Sequence, residues 1–494
     1  MKKNVLLLSM LIASAISAQT LDSSYGFHGK SFNFLTLNYV SVSSSFFLPN
    51  NKLIVSGTQG DGFSEGSFIA SFTATGKPDF KFGGTGIRLV NDLSSAFTAA
   101  QRPNKIVMAS WYPTQVGSYQ QLVVSRYVPA GKPDSSFGTN GRFYYSAGGY
   151  DQYEYPTCMS IDKLGNIYIG GVFNRESDNV LIIRLRPNGS FDSTFRIIGE
   201  KSRSCQSLLL LNNGSLLAGF YNKPSTGIHT ASIMKFNLKG KPDMSFANKG
   251  VLNLSIIDGS ASNTVYLQEA GNGSFIVLYY HGNNLVFQKF NANGTPDNSF
   301  GNNSIADTQG ATSSTFAVDE NGNILQPLSY FRIKRYTRNG MTDLSFGDNG
   351  FLTTDFNEFG LDNAYGTFSN IIPQPGGFYV TGSYDADENL VAGIAVAKYK
   401  TSPPAVAANN NTVQKKVQGD IAKIILAPNP VRDILNITNL PAKSHIIIMN
   451  AQGAIVKSVA VTSNSMKLNV ENLSSGIYYV SVKETNQKEK FVKL

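Results

Sequence analysis

At 494 residues the chain is long enough to bury one large core and a smaller second one, and with 15% charged residues, 46 Gly, 32 Phe and 23 Tyr its composition favours many short strands and tight turns over helices. Two cysteines and four histidines exclude a disulfide scaffold and a multi-histidine metal cluster. The formal charge of +9 is concentrated at the ends, with five in 421–494, one in 401–420 and two in 1–18; about one is left for 19–400, too little for a nucleic-acid-binding field.

Residues 1–18 have the build of a secretion signal. Lys2 and Lys3 form the basic start, 5–16 the apolar run, and Ser17 and Ala18 the small residues of a cleavage site expected between Ala18 and Gln19. The run is shorter than the about 20 apolar residues that span a bilayer, and no lipid-accepting cysteine follows it. The mature chain is therefore expected to be soluble, with no transmembrane segment.

A Gly-x-x-Asp-x-x-Phe corner then recurs along 19–400. Copies at 76–86, 131–141, 189–195, 240–250, 294–301 and 340–350 carry Asp79 and Phe82, Asp134 and Phe137, Asp192 and Phe195, Asp243 and Phe246, Asp297 and Phe300, and Asp343 and Phe346; a seventh, at 21–29, carries Asp22. A repeat of this length is the mark of a propeller or a stacked array. The glycines permit positive φ, Pro pre-sets the turn, and Asp can accept bonds from backbone N–H groups two or three residues on, so that Phe is expected as a buried anchor. The spacing lacks the alternating oxygen ligands of a calcium loop.

Between corners the chain alternates apolar and polar residues around Gly-centred hairpins, as in 158–170, followed by a further strand such as 180–185 and, after the corner, another such as 142–145. Four strands per unit is one propeller blade. The last unit ends at 394–400 without a corner of its own. The N-terminal piece, Asp22 to Gly29 with a strand at 31–35, supplies it, giving seven blades with one shared between the chain ends and no open sheet edge.

The corner and its downstream hairpin resemble the delta-60 β-propeller repeat of secreted and surface bacterial proteins. The resemblance covers 19–400 and departs at Arg196 and Ala247, where glycine is expected. It brings no shared catalytic residues.

Residues 401–420, rich in Pro, Ala and Asn, form an extended linker by composition. Residues 421–494 read as a β-sandwich of short strands. Their Ala427-Pro428-Asn429-Pro430 motif, the turn ending at Gly453, the 473–478 segment with Gly476 and Tyr478, and the basic end with Lys490 and Lys493 resemble a type A sorting domain of the type IX (Por) secretion system. That resemblance implies the type IX machinery as partner, and a secreted or surface location in a Gram-negative bacterium, reached through the periplasm.

Glycine turns occupy one face of each blade, leaving variable loops to the other. There Trp111, Tyr112 and Tyr119, on the segment 111–119, neighbour Tyr150, Asp151, Tyr153, Glu154 and Tyr155, a combination of aromatic planes and carboxylates suited to a sugar or a protein partner. The histidines at 28, 229, 281 and 445 lie apart without metal or catalytic spacing, and no feature pairs carboxylates for glycoside hydrolysis. Cys158 and Cys205 fall two positions out of register on equivalent strands of adjacent blades, so free buried thiols are expected over a disulfide. The sequence thus predicts a monomeric, cofactor-free binding or adhesion scaffold for an extracellular glycan or protein rather than an enzyme. A polysaccharide lyase or hydrolase and a purely structural envelope protein are the alternatives.

Overall fold

The computed structural model describes residues 19–35, 39–60, 65–113, 120–145, 154–174, 179–199, 203–222, 229–254, 264–308, 315–359, 366–384, 392–401, 424–429, 431–441, 444–450, 455–482 and 488–493. The expected signal and most of the linker lie outside them. By contact the chain forms two compact units, 1–406 and 407–494.

The first unit is a β-propeller of seven antiparallel sheets. Six consist of four strands in chain order. The first blade, for example, contains Tyr39–Phe47, Leu53–Gly60, Glu65–Phe72 and Ile87–Val90. Blades two to six begin with the innermost strands Ser94–Gln101, Glu154–Ile161, Arg203–Leu210, Val265–Gly271 and Ala317–Val318. The seventh joins Gly366–Gln374, Gly377–Tyr384 and Ala392–Thr401 to the N-terminal strand Lys30–Leu35, whose residues pair from Lys30 with Ala397 to Leu35 with Ala392. Gln19–Leu21 pairs with the same third strand, Thr20 opposite Lys400. Each innermost strand lies beside the next, and Gly366–Gln374 lies beside Tyr39–Phe47, so the ring is closed. Non-covalent pairing of the two chain ends thus removes the edge that a seven-sheet array would otherwise expose.

The apolar cores lie between blades. Phe68, Ile69 and Val55 of the first blade, and Ile182, Leu216 and Phe220 at the junction of the third and fourth, are fully or almost fully excluded from solvent. Both faces of a blade are covered, which is why the second and third strands read as continuous apolar runs rather than strict alternation.

The two departures from the repeat differ in outcome. Arg196 lies within an extended fourth strand, Phe191–Gly199, so the corner after Phe195 is replaced by strand. Ala247 keeps the left-handed turn of its glycine counterparts, with φ +47°. Left-handed geometry costs a residue with a Cβ about 1–2 kcal/mol, and glycine loses about 0.5–1 kcal/mol more backbone entropy on folding. Ala247→Gly should therefore stabilise the fold by about 0.5–1 kcal/mol, read as a rise in the denaturant midpoint.

The second unit packs two sheets face to face: Ile425–Ala427, Ile434–Thr438 and Ser465–Asn469 on one side, and Ile455–Ala460, His445–Asn450, Gly476–Val482 and Lys488–Lys493 on the other. Leu435, Ile437, Ile448, Val480 and Phe491 fill the space between them.

Candidate functional site

The Asp corners are inter-blade latches. In each, one carboxylate oxygen caps the turn, accepting for instance the N–H and hydroxyl of Ser136 on Asp134 at 3.3 and 2.7 Å, and of Ser299 on Asp297 at 3.1 and 2.6 Å. The other oxygen takes an ion pair from a basic residue eight positions earlier on the third strand: Arg126 with Asp134 (2.9 Å), Arg184 with Asp192 (2.6 Å), Lys235 with Asp243 (3.4 Å), Lys289 with Asp297 (3.0 Å) and Arg335 with Asp343 (2.8 Å). In the split seventh blade Lys398 fills this role for Asp22 at 2.8 Å, and in the first blade, where Ser71 stands at the basic position, Lys52 reaches Asp79 instead. The Lys398 ammonium and then the Ser24 hydroxyl hold the Asp22 carboxyl down at about 2.

The Phe of each corner, at 82, 137, 195, 246, 300 and 346, is buried. Arginines at 126, 184 and 335 lie 4.4 to 4.7 Å from the centroids of Phe137, Phe195 and Phe346. The ring faces the Gly turn of the next blade so closely that a Cβ at Gly131 or Gly189 would come within 3.1 or 2.8 Å of Phe82 or Phe137. Main-chain bonds run alongside, Gly83 N–H to Ala130 O (3.0 Å) and Gly138 N–H to Asn188 O (2.9 Å). The Asp and the Phe of each corner are legible in the sequence. The basic partner is not singled out by the corner motif, although its interval of eight recurs in five copies.

The seven blade junctions carry a second set of bonds closer to the axis. In ring order they include Thr98 N–H to Ser44 Oγ (3.2 Å), Gln101 Nε2 to Gly165 O (2.7 Å), Ser160 Oγ to Leu208 O (2.9 Å) and Leu267 N–H to Ser207 Oγ (3.1 Å). Gln268 Nε2 to Phe316 O (3.3 Å), Thr315 Oγ1 to Ser369 O (2.7 Å) and the Thr381 and Ser45 hydroxyls (2.9 Å) complete the circle. Such bonds contribute about 0.5–1.5 kcal/mol each.

Inside this belt lies a cavity of about 570 Å³ at the middle of the innermost strands. β-Bulges interrupt six of those strands, between Val42 and Ser44, Ser94 and Phe97, Pro156 and Cys158, Cys205 and Ser207, Glu269 and Gly271, and Phe368 and Asn370. Residues at or beside four of the bulges, Ser43, Thr157, Gln206 and Asn370, line the cavity. Gln268 and Thr315 add further amide and hydroxyl groups, and among the described residues no charged side chain is in the lining. The Asn370 Nδ2 group is excluded from solvent and has no hydrogen-bond partner. A wall of donors and acceptors of this kind, which also includes the Tyr266 ring and the Cys158 thiol, can bind hydroxyl or amide groups. Bulges have no sequence signature, so this site was not legible beforehand.

The residues predicted to form an aromatic platform are placed differently. Trp111 and Tyr112 lie in the second strand of the second blade, Lys105–Pro113, rather than in the loop beyond it; Trp111 pairs with Ser94 and Leu122, and Tyr112 packs on the core shared with the first blade. Glu154 is 2% exposed and Tyr155 half-buried, both at the start of the third blade's innermost strand. Tyr119, Tyr150, Asp151 and Tyr153 lie outside the described residues, as does Ala18; Gln19 is paired with Thr401.

In the second unit the Pro-Asn-Pro motif grips the final strand. Asn429 Nδ2 donates to Lys490 O and its Oδ1 accepts from Val492 N–H, each at 2.8 Å, while Val431 N–H donates to Val492 O. Tyr478 stacks on Phe491 with centroids 5.6 Å apart, its hydroxyl donating to Ser474 O, and Lys493 is buried beside Val431. Gly476 opens the strand that pairs with Lys488–Lys493, whereas Pro430 and Gly453 lie outside the described residues.

Residues 426–494 match the family described as a secretion system C-terminal sorting domain, and residues 165–195 match a β-propeller domain of unknown function (DUF5122). A segment of 65 residues, 13% of this chain, is 34% identical to 12% of beta-agarase A from Zobellia galactanivorans, so the match spans only a small part of that curated relative. Among solved structures, PorZ of Porphyromonas gingivalis, a surface component of the type IX secretion system, aligns with TM-score 0.42 and 13% identity over 91% of this chain and 59% of its own. The WD40 domain of Toxoplasma gondii coronin aligns with TM-score 0.44 and 8% identity over 78% and 89%. The chain is a β-propeller protein with a Por-type sorting tail, and that tail directs export through the type IX system to the cell surface or beyond. Among the described residues no helix is long and apolar enough to cross a membrane.

Proposed function

We propose that the exported propeller is a non-catalytic scaffold that binds an extracellular glycan, with the central cavity as its recognition site. The observation that carries this reading is the lining of that cavity: hydroxyl and amide side chains from successive blades, uncharged, with the unpaired Asn370 Nδ2 donor among them. Neutral sugars offer many oxygens and no charge, so they suit such a wall better than an acidic polymer or a cationic peptide does. Trp111 and Tyr112 belong to the proposal only as supports of the second blade.

A glycan array probed with the full exported chain tests it. Binding to a neutral polysaccharide is expected, weakened about tenfold or more in Asn370→Leu, since each factor of ten is about 1.4 kcal/mol and one charge-free bond is worth about that. Absence of any glycan binding, or equal affinity in the variant, would leave the structural-scaffold reading in its place.

A further inference from the structure

We propose that Cys158 and Cys205 are joined in the exported protein as a disulfide that clasps the third blade to the fourth. The two residues lie on the innermost strands of adjacent blades, and their Sγ atoms are 3.8 Å apart. The offset in register that argued against pairing is bridged by bulges. One falls between Pro156 and Cys158, the other between Cys205 and Ser207. The second reverses the pleat, so that Ser207 bonds to Leu267 of the fifth blade while Cys205 faces the third.

The surroundings are shaped around the two sulfurs. A Cβ on Gly170 would lie 2.6 Å from Cys158 Sγ and 2.7 Å from Cys205 Sγ, so any residue larger than glycine would displace one of them. Thr157 Oγ1 donates to Gly170 O at 3.2 Å and also to the Cys205 carbonyl, which ties the two strands together beside the thiols. Bond formation closes the sulfurs from 3.8 Å to about 2.05 Å. Among the described residues no third His, Cys, Asp or Glu joins them as a metal ligand.

The two thiols differ in access. Cys158 lines the central cavity, whereas Cys205 is buried, and burial followed by the neighbouring thiol pushes its ionisation upward. Exchange therefore starts at Cys158. Its thiolate attacks a sulfur of an oxidising disulfide, a dithiol-disulfide exchange catalyst of the export route, and expels one thiolate. Cys205, losing its proton, then attacks the Cys158 sulfur of the mixed disulfide and expels the second thiolate. The cysteines lose two electrons and two protons, and the oxidant leaves as a dithiol. Passage through the periplasm supplies the compartment in which such a bond persists.

The test is a thiol count on the full chain recovered from outside the cell. Denatured without reductant and treated with a maleimide, it should take no label, and two labels after reduction. Peptide mapping should give a single cross-linked species joining the segments around Cys158 and Cys205. Two labels on the unreduced protein, or separate unlinked peptides, would overturn the proposal. Both readouts use the unaltered chain, so neither depends on a cysteine variant folding.

Discussion

Truncating Phe137 to alanine should lower the unfolding free energy by about 3–5 kcal/mol, the range for removing a fully buried aromatic side chain, and should do so by loosening the junction between the second and third blades. Phe137 belongs to the second blade, yet its ring fills the space under Gly189 of the third. The guanidinium of Arg126 lies 4.7 Å from the ring centroid and is itself held by four further bonds, to Asp134, Ser136, Gln101 Oε1 and the Pro187 carbonyl, the last on the third blade. Loss of the ring therefore opens a cavity and also removes one wall of a buried cation. Chemical denaturation checks this. Phe80, next to the first Asp corner but 69% exposed, is the control: Phe80→Ser should change stability by no more than about 0.5 kcal/mol. Equal effects at the two positions would mean that the corners are surface ornaments rather than latches.

The corner was legible because every part of it has a local rule. Asp caps its own turn, glycine takes the left-handed bend, and Phe recurs at a fixed interval, so periodicity alone located all seven copies. The closing strand was legible for the same reason, since the last unit lacked what the first residues supplied. What the corner grips was not, because the neighbouring blade lies about forty to fifty residues away and no interval within one copy encodes it. The cavity was missed for a related cause. Ser43, Thr157, Gln206 and Asn370 occur in strands that alternate well enough, and only an extra residue in each pleat turns them toward the axis. The cysteine pair shows how far this matters: the alignment of equivalent positions set the two residues apart, and bulges put their sulfurs in contact. Trp111 misled for the opposite reason. A run containing Trp, Tyr and Pro looks like a loop, yet the second strand of that blade extends through it.

Removing residues 421–494 should leave the propeller folded in the periplasm and abolish its arrival outside the cell. The propeller unit closes on itself through pairing of Lys30–Leu35 with Ala392–Thr401, so its fold has no need of the tail. The sorting unit in turn has its own core between two sheets. Within it the last strand is the part most dependent on the sorting motif: Asn429 contributes two side-chain bonds to it, at Lys490 and Val492, both in the exposed part of the domain. Asn429→Ala should therefore fray that strand at a cost of about 1–2 kcal/mol while leaving the rest of the sandwich packed. Fractionation of cells producing the full chain, the truncated chain and the single variant separates the contributions. The truncated chain should be found only in the periplasm, and the variant should divide between periplasm and exterior if the secretion machinery reads the ordered C-terminal strand. Normal export of the truncated chain would contradict the assignment of the tail. Full export of the variant would instead show that the machinery tolerates a loosened final strand and reads the remainder of the sandwich.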